Sequence, residues 1–142
     1  ADPPTAFRDI YLPTLRSMSK VGSKKSNQKI GAFGEDIATR YLSARGDEIL
    51  DRNWRIREGE IDIVSMSTDG VFHFVEVKTR SSLAFGHPFE AINVDKAHRM
   101  QRLGLAWLAT HGCLGCEYAI DICAILIGAD GSHSIEFRGG IL

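Results

Sequence analysis

The chain lacks any apolar run that could cross a bilayer: nothing in its 142 residues approaches the 18 or more apolar positions that a spanning helix needs. Its start, ADPPTAFRDIYLPTLRS, has no continuous apolar segment of the kind a signal peptide requires, so a cytoplasmic protein without a membrane partner is expected. Cysteine is scarce. Three thiols cannot all pair within one chain, and a domain of this length removes roughly 68 to 70% of its unfolded surface from water without needing a disulfide framework. Reduced cysteines are therefore expected. Charge of one sign is also missing, since 17 Lys and Arg stand against 18 Asp and Glu. This excludes a bulk polycation that would hold nucleic acid by charge alone. Proline is rare, with three of its four residues (Pro3, Pro4, Pro13) near the start. What remains is ordinary: 44% hydrophobic and 25% charged residues describe one globular core, not a disordered or low-complexity chain.

Residues 1–26 combine those prolines with the polar run SKVGSKKSNQ and show no sustained period, so they read as a flexible basic arm or leader ahead of a single domain, 27–142. Residues 1–30 carry six basic and two acidic groups, a net of +4, which leaves −5 on the other 112. Asn27 can cap a helix on which Ile30, Phe33, Ile37, Tyr41 and Leu42 recur at helical spacing until Gly46. Three runs rich in Val, Ile and Phe follow, at 48–56, 60–66 and 71–79, separated by turn residues and expected to form an antiparallel meander. A second helix is expected over 93–111, with Ala97, Met100, Gly104, Trp107 and Leu108 on one face, then strands at 118–127 and 133–138. The third and fourth strands flank a helix and can lie parallel. The expectation is an α/β fold with a mixed sheet flanked by helices, in the order α-β-β-β-α-β-β.

In VFHFVEVKT, alternation puts Phe72, Phe74, Glu76 and Lys78 on one face. A carboxylate and an ammonium that continue an aromatic face are costly unless paired or used. The preceding strand offers Asp62 between two isoleucines. With a three-residue turn at Thr68–Gly70, paired positions sum to 138 and Asp62 lies across from Glu76, Cβ atoms about 4.5–5.5 Å apart. With a two-residue turn the sum is 139 and the carboxylates part to opposite faces. Two carboxylates that close repel unless one is protonated or a cation sits between them. Oxygen ligands suit Mg²⁺ or Mn²⁺, which would serve phosphate chemistry with a nearby lysine steadying nucleophile or charge. Glu35, at the edge of the first helix's apolar arc, can reach the sheet.

The segments GAFGEDIATRYL, ILDRNWRIREGEIDIVSM, FVEVKTRSSLAFGHPFEAI and KAHRMQRLGLAWL together resemble the YraN-like family of small bacterial proteins over about residues 30–127. That family is similar to Holliday-junction resolvases and restriction endonucleases. The resemblance implies a restriction endonuclease-like core of the PD-(D/E)xK nuclease superfamily, with Asp62, Glu76 and Lys78 matching the catalytic motif and Glu35 its helix-borne carboxylate. Ile61 stands where the superfamily motif has proline. It further implies metal held by Asp62, Glu76 and the Val77 carbonyl, and hydrolysis of DNA. By analogy that DNA is branched or has single-stranded regions, with recombination or repair proteins and a homodimer as further partners.

Other residues are weighed against plainer roles. Lys96, Arg99 and Arg102 on one side of the second helix are candidates for gripping phosphates, or else a solvated face. Arg52, Arg55 and Arg57 are weaker candidates, and Glu60 reads as a solvated turn residue. His111-Gly112-Cys113-x-x-Cys116 has too few ligands for structural zinc and follows a helix stop, unlike a redox motif. His73 reads as a satisfied core histidine, and Trp54 and Trp107 as core. A metal-dependent endonuclease is the favoured reading; a nucleic-acid-binding module of the same fold is its rival.

Overall fold

The computed structural model describes residues 23–81 and 86–142. Two helices, α1 (Ser23–Ala44) and α2 (Val94–Thr110), cover a sheet built from β1 (Glu48–Ile56), β2 (Gly59–Met66), β3 (Phe72–Arg80), β4 (Tyr118–Ile127) and β5 (His133–Arg138). The order of elements is the expected one. The sheet runs β1-β2-β3-β4-β5, parallel between β3 and β4 and antiparallel elsewhere. This mixed sheet flanked by helices is the α/β architecture of restriction endonuclease-like proteins.

The start of α1 differs from expectation. It begins at Ser23, so Asn27 lies inside the helix and the last four residues of the expected arm, 23–26, are helical. The residue types allow it: Lys24 and Lys25 favour helix, so nothing obliges the helix to wait for Asn27. Residues 1–22 of the arm lie outside the described residues. Both helices stop as read, with Gly46 at φ 103° and Gly112 at φ 69°.

Alternation divides the core between two faces. Phe33, Ile37, Ala38 and Leu42 of α1 pack on Ile63, Val75, Val77, Cys123 and Ile125. Met100, Leu103, Trp107 and Leu108 of α2 pack on Val64, Phe72, Phe74 and Ile120. The central strand β4 is buried over most of its length, which its continuous apolar run YAIDICAILI anticipates. None of the described helices is long and apolar enough to cross a membrane.

The β2–β3 turn fixes the register. Ser67 N–H donates to the Val71 carbonyl at 3.0 Å, Gly70 N–H to the Ser67 carbonyl at 2.9 Å, and Gly70 takes φ 83°. This is a three-residue hairpin loop whose left-handed position wants glycine. The ladder then pairs Met66 with Phe72, Ser65 with His73, Val64 with Phe74 and Ile63 with Val75, the sum of 138 throughout.

Gly34 sets how closely α1 approaches the sheet. A Cβ there would fall on Thr79 Oγ1 and lie 3.0 Å from Thr79 Cβ. Helix propensity alone favours Gly34→Ala by up to about 1 kcal/mol, but forcing a methyl into a packed contact costs about 1–3 kcal/mol. The contact should win. We expect Gly34→Ala to lower Tm by about 5 °C in thermal unfolding, and Thr79→Ala to restore part of the loss. A raised Tm in Gly34→Ala would mean that propensity governs this position.

Candidate active site

The site forms where the β2–β3 ladder ends. One step beyond the Ile63–Val75 pair, Val77 N–H donates to Asp62 Oδ2 at 2.8 Å, so the side chain of β2 caps the backbone of β3. Beyond Ile63–Val75 the regular ladder stops and Ile61 packs with Val64 on the α2 side, so Asp62 comes beside Glu76 at a break in the β2 alternation rather than as a regular cross-strand pair. Asp62 is buried, at 7% exposure. Burial first, then the neighbouring Glu76 carboxylate, push the Asp62 carboxyl up to about 7, against the lowering pull of the Val77 N–H. The pair therefore retains a proton near neutrality, and we place it on Asp62.

Glu76 Oε1 faces two ammonium groups, Lys78 Nζ at 3.4 Å and Lys96 Nζ at 3.1 Å. The Lys78 ammonium is pushed below its usual range by burial and by Lys96 beside it, with Glu76 acting in the opposite sense. Glu35, half-buried on α1, completes the cluster. Its carboxyl is raised mainly by burial, while a hydrogen bond from the Asn53 side chain and the Arg52 charge lower it. Glu35 and Glu60 both add to the field that raises Asp62. The sequence-read set of Glu35, Asp62, Glu76 and Lys78 is thus brought to one end of the β2–β3 pair.

The expected phosphate-gripping face of α2 divides. Lys96 and Arg102 are six residues apart, about 120° around the helix at 3.6 residues per turn. Lys96 turns to Glu76, whereas Arg99 and Arg102 are exposed and line, with Ile56, Glu58, Leu103 and Ala106, a hollow of about 510 Å³ toward the β1–β2 turn. Arg52 pairs with Asp36 at 2.9 Å and Arg55 with Glu60 at 2.6 Å.

Lys96 as a partner of Glu76 was not legible in the sequence, because it depends on how α2 docks. Asn53 was missed too. It holds φ 52° within β1, a conformation that Asn tolerates better than most residues, and an Asn inside an otherwise strand-like run is the only signal for it. A third group lies on the other face of the sheet. His73 Nδ1 meets Asp121 Oδ2 at 2.6 Å and its Nε2 meets Ser67 Oγ at 2.9 Å. Asp121, fully buried, also accepts Gly140 N–H at 2.9 Å. His73 is thus a satisfied histidine. Trp107 is core, its Nε1 donating to Asp51 at 3.1 Å. The three cysteines are free thiols.

Among the described residues no three His, Cys, Asp or Glu side chains converge as a ready-made metal cage. The oxygens of Asp62 and Glu76 are nonetheless hard donors, and the proton that this pair retains occupies a position where a cation would relieve the same repulsion. With the Val77 carbonyl and water they suit Mg²⁺ or Mn²⁺, which need few protein ligands.

Comparison with known proteins agrees with the motifs. The model of a family described as uncharacterised protein family UPF0102 matches residues 34–125. A UPF0102 protein of Beutenbergia cavernae is 44% identical over 117 residues, 82% of this chain and 98% of that protein. One of Parafrankia sp. strain EAN1pec is 45% identical over 114 residues, 80% and 96% of the two chains. Among solved structures, SfsA of Pyrococcus furiosus in complex with Ca²⁺ aligns over 87% of this chain and 62% of its own. At 16% identity and a TM-score of 0.33, that likeness is too low to bear on fold or function. On the family match and these relatives, the chain belongs to the UPF0102 family, the YraN-like family whose motifs it carries, within the restriction endonuclease-like superfamily.

Proposed function

We propose that the protein is a metal-dependent endonuclease acting on DNA by phosphodiester hydrolysis. One observation carries this reading: a buried aspartate raised to about 7 by burial and its glutamate neighbour, with a lysine on that glutamate, all at the open end of one strand pair. Asp62, Glu76 and the Val77 carbonyl would hold Mg²⁺ or Mn²⁺. When bound, the cation supplies a more acidic water and offsets phosphate charge. Lys78, partly desolvated, orients the attacking water and stabilises charge that develops on the phosphate. Glu35, tied to Asn53, holds a proton or a water at the rim. Lys96 keeps Glu76 neutralised before the cation arrives, and is then free for substrate phosphate. Arg99 and Arg102 extend the cationic surface along α2.

The substrate under this reading is branched or partly single-stranded DNA, in the company of recombination or repair proteins and with a homodimer as one arrangement for two-strand cutting. The rival is a nucleic-acid-binding module without turnover. It draws support from the 3.1 Å contact of Lys96 with Glu76, which already satisfies the carboxylate. Incubation of the full chain with forked, junction, single-stranded and duplex DNA in Mg²⁺, Mn²⁺ or EDTA decides between them. We expect cleavage with either cation and none in EDTA. Binding without cleavage under every condition would establish the module.

A further inference from the structure

The row of side chains that includes Glu76 continues across the sheet. Glu76 pairs with Ile122 on β4, and Ile122 pairs with Arg138 on β5, so these residues share one face. Neighbouring strands are about 4.8 Å apart, which puts Ile122 one strand and Arg138 two strands from the carboxylate. Over Ile122 lies a cavity of about 280 Å³, bounded by Phe89, Ile92, Val94, Arg138 and Ile141. That equals about nine waters at roughly 30 Å³ each, room for a planar ring system.

The lining has a definite chemistry. Its walls are mostly apolar, Asn93 and Arg138 are its polar side chains, no side chain in it is a carboxylate, and the Arg138 guanidinium stands 4.3 Å from the centroid of the Phe89 ring. The Phe89 ring is flanked by Arg138 and, at 4.6 Å, by the His87 ring, so the outer face of the guanidinium is what offers stacking to a neutral π-faced guest. The cavity also shares the first turn of α2 with the proposed active site. Asn93 lines it and caps α2 by accepting Lys96 N–H at 2.8 Å, and Ala97 lines it from the same turn. The first turn of α2 thus presents Lys96 to Glu76 and a floor to the cavity.

We infer that this cavity receives an unpaired nucleobase of the strand whose phosphate stands at Glu76, Lys78 and Lys96. The inference rests on the nuclease reading and narrows its substrate. A base inside a duplex is paired and stacked, and must leave both contacts to enter a pocket. Single strands and fork junctions offer such a base at lower cost than uniform duplex does, so these are the substrates the site selects.

The test measures binding of the full chain in EDTA at fixed salt, with a single-stranded oligonucleotide, a fork and a uniform duplex. Arg138→Ala and Val94→Trp, the latter at an exposed rim position, alter the cavity from opposite sides. Each should weaken single-strand and fork binding by about ten-fold, with duplex affinity unchanged within about two-fold. Calorimetric Mn²⁺ affinity should be unaltered. A fork lacking the base beside its junction should show the same loss with the unmodified protein, which needs no variant to fold. Loss of equal size on all three DNAs, with a salt slope flatter by about one, would make Arg138 a phosphate contact and overturn the cavity assignment. So would unchanged binding in both variants and with the baseless fork. If the unmodified protein binds none of the DNAs in EDTA and cuts none with Mg²⁺ or Mn²⁺, the nuclease reading falls as well; if it binds them and only the cavity tests fail, that reading stands alone.

Discussion

Glu76→Ala and Lys78→Ala should both abolish DNA cleavage, yet differ in metal affinity. Glu76 contributes a ligand, so its removal leaves Asp62 as a single carboxylate and Mn²⁺ binding should fall below detection by calorimetry. Lys78 contributes only charge. Its ammonium lies 3.4 Å from Glu76 Oε1 and is already pushed toward losing its proton by burial and by Lys96. Taking it away removes a cation that competes for the same oxygen, so Mn²⁺ should bind as well as before or more tightly. The gain is modest, because Lys96 remains at 3.1 Å. Cleavage should nevertheless drop by about 10² or more, the cost of losing a preorganised charge where the transition state develops its own. Single-turnover cleavage and Mn²⁺ titration on both variants make the comparison. Wild-type cutting by Lys78→Ala would remove the lysine from the mechanism, and matching losses of metal affinity would make it part of the metal site.

This pair of roles was legible from the strand pattern because a hairpin register is local. The Phe72–Phe74 face, Asp62 between isoleucines and the turn Thr68–Gly70 are all within 17 residues, and the choice of register turns on Asp69, which stays outside the left-handed region that a two-residue Asp69-Gly70 turn would demand of it. Alternation alone was compatible with either. What could not be read depends on contacts distant in sequence. Lys96 looked like its neighbours Arg99 and Arg102, and only the docking of α2 on Phe74 and Ile120 turns it toward Glu76. The Asp121 carboxylate stands out in the apolar run YAIDICAILI, but its partner His73 is 48 residues away across a parallel strand pair. The start of α1 was misplaced for a different reason: helix-favouring residues such as Lys24 and Lys25 precede Asn27, and one capping residue type does not say where a helix must begin.

Asp62 should also make stability fall with rising pH in the absence of metal. Its carboxyl titrates near 3.8 when unfolded and at about 7 in the folded chain. Between those values the folded state holds a proton that the unfolded state has lost, so unfolding becomes easier as pH rises through this window and levels off above about 7. The span corresponds to at most about 4 kcal/mol, an upper bound because part of the repulsion relaxes as Glu76 and the lysines adjust. In Asp62→Asn the side-chain amide has no such proton to lose and still offers an oxygen to Val77 N–H. That variant should therefore match the unmodified protein near pH 4 and exceed it by a few kcal/mol at pH 8, in urea unfolding with EDTA. Subtracting the two profiles cancels every other titrating group that the substitution leaves alone. Mn²⁺ should recover the loss in the unmodified protein, more at pH 8 than at pH 6 because the bound cation requires the deprotonated pair, and should give Asp62→Asn far less. Parallel pH profiles would show that Asp62 is already ionised in the folded chain, and with it that the strain we assign to the two facing carboxylates does not exist.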